Sequence, residues 1–568
     1  MRLSDILVRS GRVTADQVAH AAERARVAGD PEHLGELLVA EGVLTDAELL
    51  AARSELWSVP VAPPLTDEML DPELVSRLPV EWARGHRLLP VRWQGRLRVL
   101  TANPGELAAQ EDLSVLLGEE LSPLLATPAE IARAIERCYF RRTDTASDFL
   151  KEMQAAPGGG AGERPAEAGP GSEDLLRMAD GAPVTQLMNL ILLEAVKARA
   201  SDIHVEPFED HLRVRYRVDG LLYDQSAPPK NLEAALTSRL KVMAKMDIAE
   251  KRLPQDGMAR VRIGAREIDI RVSTVPVAEG ERLVLRLLNR ASALLSLADL
   301  GLAPEVADRF RALLGEPQGI VLVTGPTGSG KTTTLYAALQ ELDTKRLNIM
   351  TIEEPIEYQL PYISQMQVNP KIELTFARCL RHVLRQDPDV ILVGETRDLE
   401  TAEIAIRASL TGHLVFTTLH TNDAAAAPVR LMDMGAESYL LSASLRGVLA
   451  QRLARRLCPK CRVEAVVSAA DVAGFPSAEA ARLVGRPHWV ARGCAACLEG
   501  YKGRVGLFEL LTMTPELSRA VRDRAGVEQL RDLAVRGGMT PLLGDGFERV
   551  LAGETSLAEL ARVVGRGG

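Results

Sequence analysis

The stretch that decides the fold of this chain is GIVLVTGPTGSGKTTTLYAALQEL, residues 319–342. It opens with an apolar run typical of a buried parallel strand and ends with a segment of helical periodicity. Between them, GPTGSGKT at 325–332 fits the pattern G-x-x-x-x-G-K-[ST] of a phosphate-binding loop. Because strand, loop and helix follow one another in the required order, the stretch predicts an α/β domain that binds a nucleoside triphosphate.

The loop itself supplies the candidate phosphate contacts, which are Gly325, Pro326, Thr327, Gly328, Ser329, Gly330, Lys331, Thr332 and Thr333. Its glycines let backbone N–H groups curl around the β-phosphate at a helix N-terminus, whose dipole favours anions. Lys331 is predicted to reach the β- and γ-phosphate oxygens, and the Thr332 hydroxyl is predicted to bind Mg²⁺. The chain has 11 lysines against 57 arginines, so a lysine at this position stands out from the background.

Two further predicted strands carry acids at their carboxyl ends, where the sites of α/β domains assemble. One of them, in NIMTIEEPIEY, ends in Glu353 and Glu354, and the other, in DPDVILVGETRD, is followed by Glu395. Carboxylates at neighbouring strand ends suit Mg²⁺ coordination and polarisation of the attacking water. Solvated acids at strand ends are the alternative.

Two histidines flank another alternating strand in TGHLVFTTLHTND, residues 411–423. His420 is predicted to sense the γ-phosphate and report its loss, and His413 is a second candidate for nucleotide contact. The alternative is that each histidine is satisfied by packing or by solvent.

Four of the six cysteines form two Cys-x-x-Cys pairs, in CPKC and CAAC. Two such pairs predict a tetrahedral, structural zinc site, with the 32 residues between them forming an inserted loop. Redox dithiols are the competing interpretation, and Cys138 and Cys379 are predicted to be packing residues. The predicted zinc ligands are Cys458, Cys461, Cys494 and Cys497.

The length, composition and net charge of the chain argue against several classes of protein. A chain of 568 residues, 46% hydrophobic and 26% charged, predicts three or four folded domains. A net charge of −9 argues against a general nucleic-acid binder. No stretch reaches the roughly 18 apolar residues of a membrane span, and the N-terminus lacks the pattern of a signal peptide. We therefore expect a cytoplasmic protein that reaches a membrane only through partners or surface contacts.

Changes in pattern along the chain predict five segments. The first is a helical unit with a tandem repeat (3–25 and 34–56) and a second lobe, and the second is a flexible linker rich in Gly, Ala, Pro and Glu. An α+β domain, a nucleotide-binding domain that includes the cysteine element (455–500) and a C-terminal helical region follow. Their predicted boundaries are 1–150, 151–174, 175–300, 301–512 and 513–568.

Hydrolysis at the γ-phosphate needs positive charge in the transition state, often from an arginine of a neighbouring subunit. The α+β domain offers Arg215, Arg217, Arg271 and Arg286, of which we favour Arg217 and Arg271. Solvated strand arginines are the alternative. A second basic segment, QRLARRLCPKCR, is predicted to be a solvated face, with an acidic phospholipid or acidic partner as the alternative ligand.

Several of these motifs resemble those of a known protein family. GPTGSGKT, TIEEPIEY, LRQDPDVILVGETRD and TGHLVFTTLHTNDA resemble the secretion ATPase superfamily, the hexameric motors of type II secretion and type IV pilus assembly. The closest resemblance is to the type II secretion ATPases, and it lies in SDIHVEPFEDHLRVRYRVDG and the sequence that follows it up to LVLRLL. The resemblance implies ATP hydrolysis by a homo-hexamer that drives pseudopilus assembly and protein export across the outer membrane. It also implies docking to inner-membrane platform proteins, through the cytoplasmic domain of a bitopic one.

Carried over by position, the resemblance assigns roles. Glu353 matches the family's water-activating glutamate, Glu395 the acid of the second nucleotide motif, and His413 and His420 the histidine box. A similar tetracysteine element occurs in these motors. Two positions depart from the pattern, because Glu354 stands where aspartate is usual and Thr396 where an apolar residue is usual.

The N-terminal repeat resembles a domain that binds cyclic di-GMP in some superfamily members. Arg2 is present, but His33 replaces the matching arginine in the second copy, and Gly35 fits where Ser4 does not. Ala25 and Leu56 stand in place of the closing glutamine. We therefore expect a docking module that does not bind cyclic di-GMP.

The expected architecture is an α/β, RecA-like P-loop motor domain with a zinc-binding insertion. An α+β, PAS-like domain and a mainly helical N-terminal docking unit precede it. The expected function is that of a type II secretion ATPase using ATP, Mg²⁺ and Zn²⁺. The rivals are a type IV pilus assembly ATPase, a DNA motor or recombinase, and a non-catalytic nucleotide switch.

Overall fold

The three-dimensional structure is a computed structural model. It describes residues 3–27, 34–75, 78–140, 145–155, 173–174, 183–263, 266–289, 295–475 and 478–565. The chain divides into two compact units, Met1–Ala291 and Ser292–Gly568. Each unit is described by itself. The first unit holds both the helical repeat and the α+β domain, and the second begins a few residues before the predicted boundary at 301.

The tandem repeat folds as two helix pairs. Gly11 and Gly42 have φ of +68° and +70°, a left-handed conformation that glycine adopts without a Cβ clash, and each follows the end of a helix. Thr45 starts a helix through a capping box with Glu48. The first helix packs on the fourth and the second on the third, which encloses a small apolar core. The helices are α1 (Leu3–Arg9), α2 (Ala15–Val27), α3 (Leu34–Ala40) and α4 (Asp46–Trp57).

The second lobe surrounds a three-stranded sheet in which β1 and β2 are antiparallel and β3 is parallel to β2. The last helix continues to residue 155, into the predicted linker, and 156–172 lie outside the described residues. The elements are α5 (Val80–His86), β1 (Leu88–Trp93), β2 (Arg96–Thr101), α6 (Leu107–Leu117), β3 (Ser122–Leu125), α7 (Pro128–Phe140) and α8 (Ala146–Ala155).

The α+β domain is a seven-stranded sheet of order β4-β8-β9-β10-β5-β6-β7. Burial alternates along β6, so its apolar residues face inward while Arg213, Arg215 and Arg217 lie on the opposite face. The Tyr216 hydroxyl donates to the Ile191 carbonyl oxygen at 2.7 Å, which ties the sheet to α9. The elements are β4 (Glu173–Asp174), α9 (Pro183–Lys197), β5 (Asp202–Pro207), β6 (Leu212–Val218), β7 (Leu221–Ser226), α10 (Glu233–Met243), β8 (Gln255–Ile263), β9 (Arg266–Val277) and β10 (Gly280–Asn289).

The second unit is built on another seven-stranded sheet, of order β13-β12-β14-β15-β11-β16-β19. The first six strands are parallel, and β19 pairs with β16 antiparallel. Its central strands are buried along their whole length, because helices cover both faces. The first elements are α11 (Pro304–Leu314), β11 (Gly319–Thr324), α12 (Lys331–Gln340), β12 (Ile349–Glu353), β13 (Ser364–Gln367), α13 (Phe376–Val383), β14 (Val390–Val393), α14 (Leu399–Leu410) and β15 (Leu414–Leu419).

The rest of this unit completes the sheet and closes the chain with helices. The long β16–β19 pair carries an insertion made of two short strands and two short helices. None of the helices in the described part of the chain is both long and apolar enough to cross a membrane. The elements are α15 (Ala426–Asp433), α16 (Ser438–Ser444), β16 (Leu445–Leu457), β17 (Val463–Val466), α17 (Ala469–Val472), α18 (Ala478–Ala481), β18 (Pro487–Val490), β19 (Tyr501–Thr512), α19 (Pro515–Arg522), α20 (Val527–Arg536), α21 (Leu542–Leu551) and α22 (Leu557–Val564).

Candidate nucleotide-binding site

The phosphate loop joins the carboxyl end of β11 to the start of α12. Gly325, Gly328 and Gly330 all have positive φ, and a Cβ on Gly325 would come within 2.4 Å of the Gln451 carbonyl oxygen. Gly330 is the N-cap of α12, and no side chain caps this helix. The N–H groups of the first turn therefore point to a place where an anion can bind.

Lys331 is the first residue of α12, and its side chain is folded over the loop. Its Nζ donates to the carbonyl oxygens of Gly325 at 2.8 Å and Pro326 at 3.2 Å. Burial lowers the pKa of Lys331, while the nearby charge of Glu395 opposes that shift. The ammonium group thus binds backbone oxygens at the place where phosphate oxygens would replace them.

Glu395 lies at the same edge, close to basic side chains. Its carboxylate is 3.0 Å from His420 Nε2 and 2.7 Å from Arg397 Nη2. Burial acts to raise the pKa of Glu395, but the hydrogen bond and charge of Arg397, with the charges of His420 and Lys331, lower it overall. Arg397 also lies 3.2 Å from the Glu354 carboxylate, so one guanidinium joins the acids that follow β12 and β14.

Hydrogen bonds to β15 fix the segment that carries Glu395. The Thr418 hydroxyl donates to the Gly394 carbonyl oxygen at 2.6 Å, and Thr396 N donates to the Thr418 carbonyl oxygen at 3.1 Å. The hydroxyls of Thr396 and Thr417 are 2.7 Å apart and buried. The polar residue at position 396 is therefore satisfied, and these contacts align the Glu395 and His420 ends of two neighbouring strands.

Glu353 does not join this cluster. It is only 4% exposed, and its carboxylate accepts hydrogen bonds from the Thr351 hydroxyl at 2.6 Å, from Gln365 Nε2 at 3.0 Å and from the Tyr336 hydroxyl. The structure thus brings Glu354 and Glu395 together at the open edge of the sheet. It encloses Glu353 in a separate, buried network.

His413 lies at the other edge of the sheet. It precedes β15, its Nδ1 is 3.0 Å from the Ala408 carbonyl oxygen, and its own carbonyl oxygen accepts a hydrogen bond from Gly319 N at the start of β11. The phosphate loop follows the far end of β11, about 20 Å away at the usual rise per strand residue. Within its own chain, His413 therefore lies at the opposite end of β11 from the phosphate loop, and its contact with the nucleotide stays a prediction.

Two residues of the site were missed by reasoning from the sequence. Arg397 is visible in the motif GETRD, two residues after the acid that it binds. Gln451 donates through Nε2 to the Ser329 carbonyl oxygen at 2.7 Å and supports the loop from β16. No local pattern marks Gln451, because only the pairing of β16 with β11 brings it under the loop.

Comparison with known proteins identifies the family. Residues 177–562 match the family described as "Type II/IV secretion system protein". The chain belongs to this family. A second match covers residues 57–145 and is described as "MshEN domain". The first match spans the α+β domain and the motor domain, and the second spans the second lobe.

Individual relatives extend the comparison. Type II secretion system protein HxcR of Pseudomonas aeruginosa is 48% identical over 505 residues, which cover 86% of this chain and 99% of that protein. Type II secretion system ATPase E of Vibrio cholerae is 44% identical, with 88% and 99% coverage. Type IV pilus assembly ATPase PilB of Myxococcus xanthus is 40% identical, with 98% coverage of both chains. The prediction of a secretion ATPase from the motifs is confirmed.

The favoured arginines of this secretion ATPase lie on the open face of the α+β sheet, within the first unit. Arg215 is held by Glu206 through two hydrogen bonds of 2.8 Å. Arg217 is more loosely paired, with its Nε 3.7 Å from Asp202, and Arg271 reaches its nearest carboxylate only at 4.0 Å. Arg217 also donates from Nη1 to the Gly220 carbonyl oxygen at 3.0 Å, but neither favoured residue is held by a carboxylate as closely as Arg215 is.

The four predicted zinc ligands converge. Their sulfur atoms all lie within 4.8 Å of one another, with Cys458 and Cys494 3.9 Å apart and Cys461 and Cys497 3.6 Å apart. Tetrahedral zinc with bonds of about 2.3 Å separates its sulfur ligands by roughly 3.8 Å, so the arrangement fits this ion. The cluster lies where β16 ends and β19 begins, and residues 462–493 form the expected insertion.

The basic segment at 451–462 is only partly the predicted solvated face, because Arg456 and Lys460 are exposed while two of its arginines bind groups within the protein. Arg455 is buried against Glu559, with Nη2 3.0 Å from the carboxylate. Arg462 donates to a backbone carbonyl and lies over the Trp489 ring at 4.5 Å. Arg455 and Arg462 thus bind groups within the protein, and a contact of this segment with acidic phospholipid stays a prediction.

The prediction about cyclic di-GMP stays a prediction. It depends on Arg2 and His33, which lie outside the described residues. The MshEN match begins at residue 57, after the helical repeat. Ser4 and Gly35 lie on α1 and α3, as the repeat requires.

Proposed function

We propose that this chain is the ATP-hydrolysing motor of a type II secretion machine, which powers pseudopilus assembly and protein export across the outer membrane. The observation that carries the proposal is a complete phosphate loop with Lys331, Glu395 and His420 at one sheet edge. It occurs in a chain that is 48% identical to a type II secretion protein over 86% of its length. ATP is the substrate, as for the family.

The residues of the loop would bind the triphosphate. Backbone N–H groups at the start of α12 and the Lys331 ammonium would hold the β- and γ-phosphate oxygens. The Thr332 hydroxyl, Glu354 and Glu395 would hold Mg²⁺, and this donor set fits a cation because Arg397 already joins the two carboxylates. When bound, Mg²⁺ supplies positive charge to the phosphate oxygens.

We assign the water-activating role to Glu353 on the resemblance, although the described conformation buries its carboxylate. Its carboxylate would act from the place where these donors hold it, joined to the phosphate-binding helix through Tyr336. His420, bound to Glu395, would report the loss of the γ-phosphate to β15. Arg217 and Arg271 would act across the boundary between protomers of a homo-hexamer, where a guanidinium stabilises the charge of the transition state.

The remaining parts would serve assembly. The four-cysteine cluster would hold structural Zn²⁺ with no open position, which leaves it no catalytic part. The N-terminal unit would dock on the cytoplasmic domain of a bitopic platform protein and so bring the motor to the inner membrane from the cytoplasm. The region at 151–174 would let this unit move.

The test is the ATPase rate per protein, measured against protein concentration with and without the cytoplasmic domain of the bitopic platform protein. A motor that assembles on its platform gains activity per protomer with concentration and gains more with the partner. Turnover near zero in every condition would contradict the proposal and favour a nucleotide switch. Stimulation by DNA would favour a DNA motor.

A type IV pilus assembly ATPase is the second candidate, because the pilus relative aligns with 98% of this chain. Deletion of the gene separates the two functions. Loss of exported proteins from the medium with surface pili retained supports secretion, whereas loss of pili with export retained supports the pilus machine.

A further inference from the structure

The buried network around Glu353 connects three elements. Tyr336 comes from α12, Gln365 from the edge strand β13, and Thr351 from the same strand as Glu353. Gln365 Nε2 lies 3.0 Å from Glu353 Oε1 and 3.4 Å from the Tyr336 hydroxyl, so it contacts both groups. All the hydrogen bonds described for this carboxylate come from neutral donors.

The Tyr336 contact joins Glu353 to the phosphate-binding helix α12. Tyr336 lies five residues after Lys331 on the helix that begins at the phosphate loop, and its side chain is fully buried. Its hydroxyl therefore fixes the Glu353 carboxylate relative to the helix that binds the phosphates, and not only to its own strand. The helix and the acid are thus linked by a single side chain that cannot swing into solvent.

The neighbouring aromatic ring provides an internal comparison. Tyr358 packs edge-on against Tyr336, with ring centroids 4.6 Å apart. Among the described residues, the Tyr358 hydroxyl makes no hydrogen bond to Glu353. Two tyrosines thus share one aromatic pair, and only one of them binds the acid.

We propose that Tyr336 and Gln365 are positioning residues for Glu353, which set its carboxylate against the phosphate-binding helix before the nucleotide arrives. The proposal rests on the proposed role of Glu353 as the water-activating group. Tyr336 orients the carboxylate through Oε2, and Gln365 orients it through Oε1. Both residues would act through Glu353 and not through the nucleotide, so their removal should reduce the rate of the chemical step without reducing nucleotide affinity. Misplacement of a reacting group by about 1 Å can cost on the order of a hundredfold in rate.

The experiment uses the full chain and compares Tyr336→Phe, Gln365→Leu and the control Tyr358→Phe. We expect Tyr336→Phe and Gln365→Leu to lower kcat about ten- to a hundredfold. The Kd for a fluorescent ATP analogue should stay within about twofold of the parent in both. Tyr358→Phe should leave both quantities unchanged. In a Glu353→Gln background, Tyr336→Phe should cause no further loss, because the group through which it acts is gone.

These variants distinguish the positioning role of Tyr336 and Gln365 from the water-activating role of Glu353. If Glu353→Gln is inactive but Tyr336→Phe and Gln365→Leu keep the parent kcat, the inference is wrong and the role of Glu353 stands. If Glu353→Gln keeps the parent kcat, both fail. Equal losses in Tyr336→Phe and Tyr358→Phe, or weakened analogue binding, would assign Tyr336 to packing alone and overturn the proposal. Gln365→Leu keeps the test open if Tyr336→Phe does not fold.

Discussion

The nucleotide edge and the four-cysteine cluster lie in the same unit, and each was predicted from a short motif, but they are built differently. At the nucleotide edge, Lys331, Glu395 and His420 come from three separate segments and remain partly exposed. At the cluster, four like side chains converge from the two ends of one insertion, close enough to fill a coordination sphere.

The two regions differ in whether their side chains are available to a ligand. The nucleotide edge holds cations and anions that bind one another, such as Arg397 and Glu395, and these pairs can exchange for ligand groups. The cysteines leave no position for a substrate and connect the ends of β16 and β19. Damage to the first region should therefore affect turnover, and damage to the second should affect stability.

The largest expected effect is on turnover. Lys331→Ala removes the ammonium that would bind the β- and γ-phosphate oxygens, and we expect hydrolysis to fall by about 10³-fold. The melting temperature should be unchanged, since the side chain bonds only to its own loop. ATPase assays and thermal unfolding measure the two quantities. Full activity in this variant would refute the assignment of the site.

The second effect is on stability. Cys461→Ser, or a strong chelator, would remove the Zn²⁺ that we propose connects the insertion to the sheet, and we expect the melting temperature to fall by about 5–10 °C. Binding of a fluorescent ATP analogue should stay within about twofold. Cys379→Ala is the matched control, because Cys379 is buried in the same unit but outside the cluster. A parent protein insensitive to chelation would contradict the zinc assignment.

The smallest expected effect is on kcat/KM at the nucleotide edge. Arg397 is exposed and joins Glu354 to Glu395, so Arg397→Ala should lower kcat/KM for Mg·ATP by about tenfold. Arg397→Lys should restore only part of the rate, because an ammonium cannot bridge two carboxylates as a guanidinium does. Arg407→Ala, an exposed arginine on α14, should match the parent. Parent-like kinetics for Arg397→Ala would remove it from the site.

Local patterns predicted much of the fold. The repeat was visible because the helix end at Gly42 and the helix start at Thr45 depend only on backbone conformation and capping, and the structure has both. The helix α8 continues to Ala155, past the predicted start of the linker at 151. The burial of Arg455 within the basic segment could not be predicted locally, because its partner Glu559 is about 100 residues away along the chain.

The sequence by itself determined the phosphate loop, the strand ends that carry acids and the cysteine pairs. These depend on residue type at short spacing, where backbone geometry leaves few choices. Only the tertiary structure decided which acid faces the open edge. Glu353 and Glu354 are adjacent in sequence, but successive residues at a strand end point to opposite faces, and two of the three donors that bury Glu353 come from other elements. The same is true of Gln451 and His413, whose places depend on strand order and direction rather than on their neighbours in the chain.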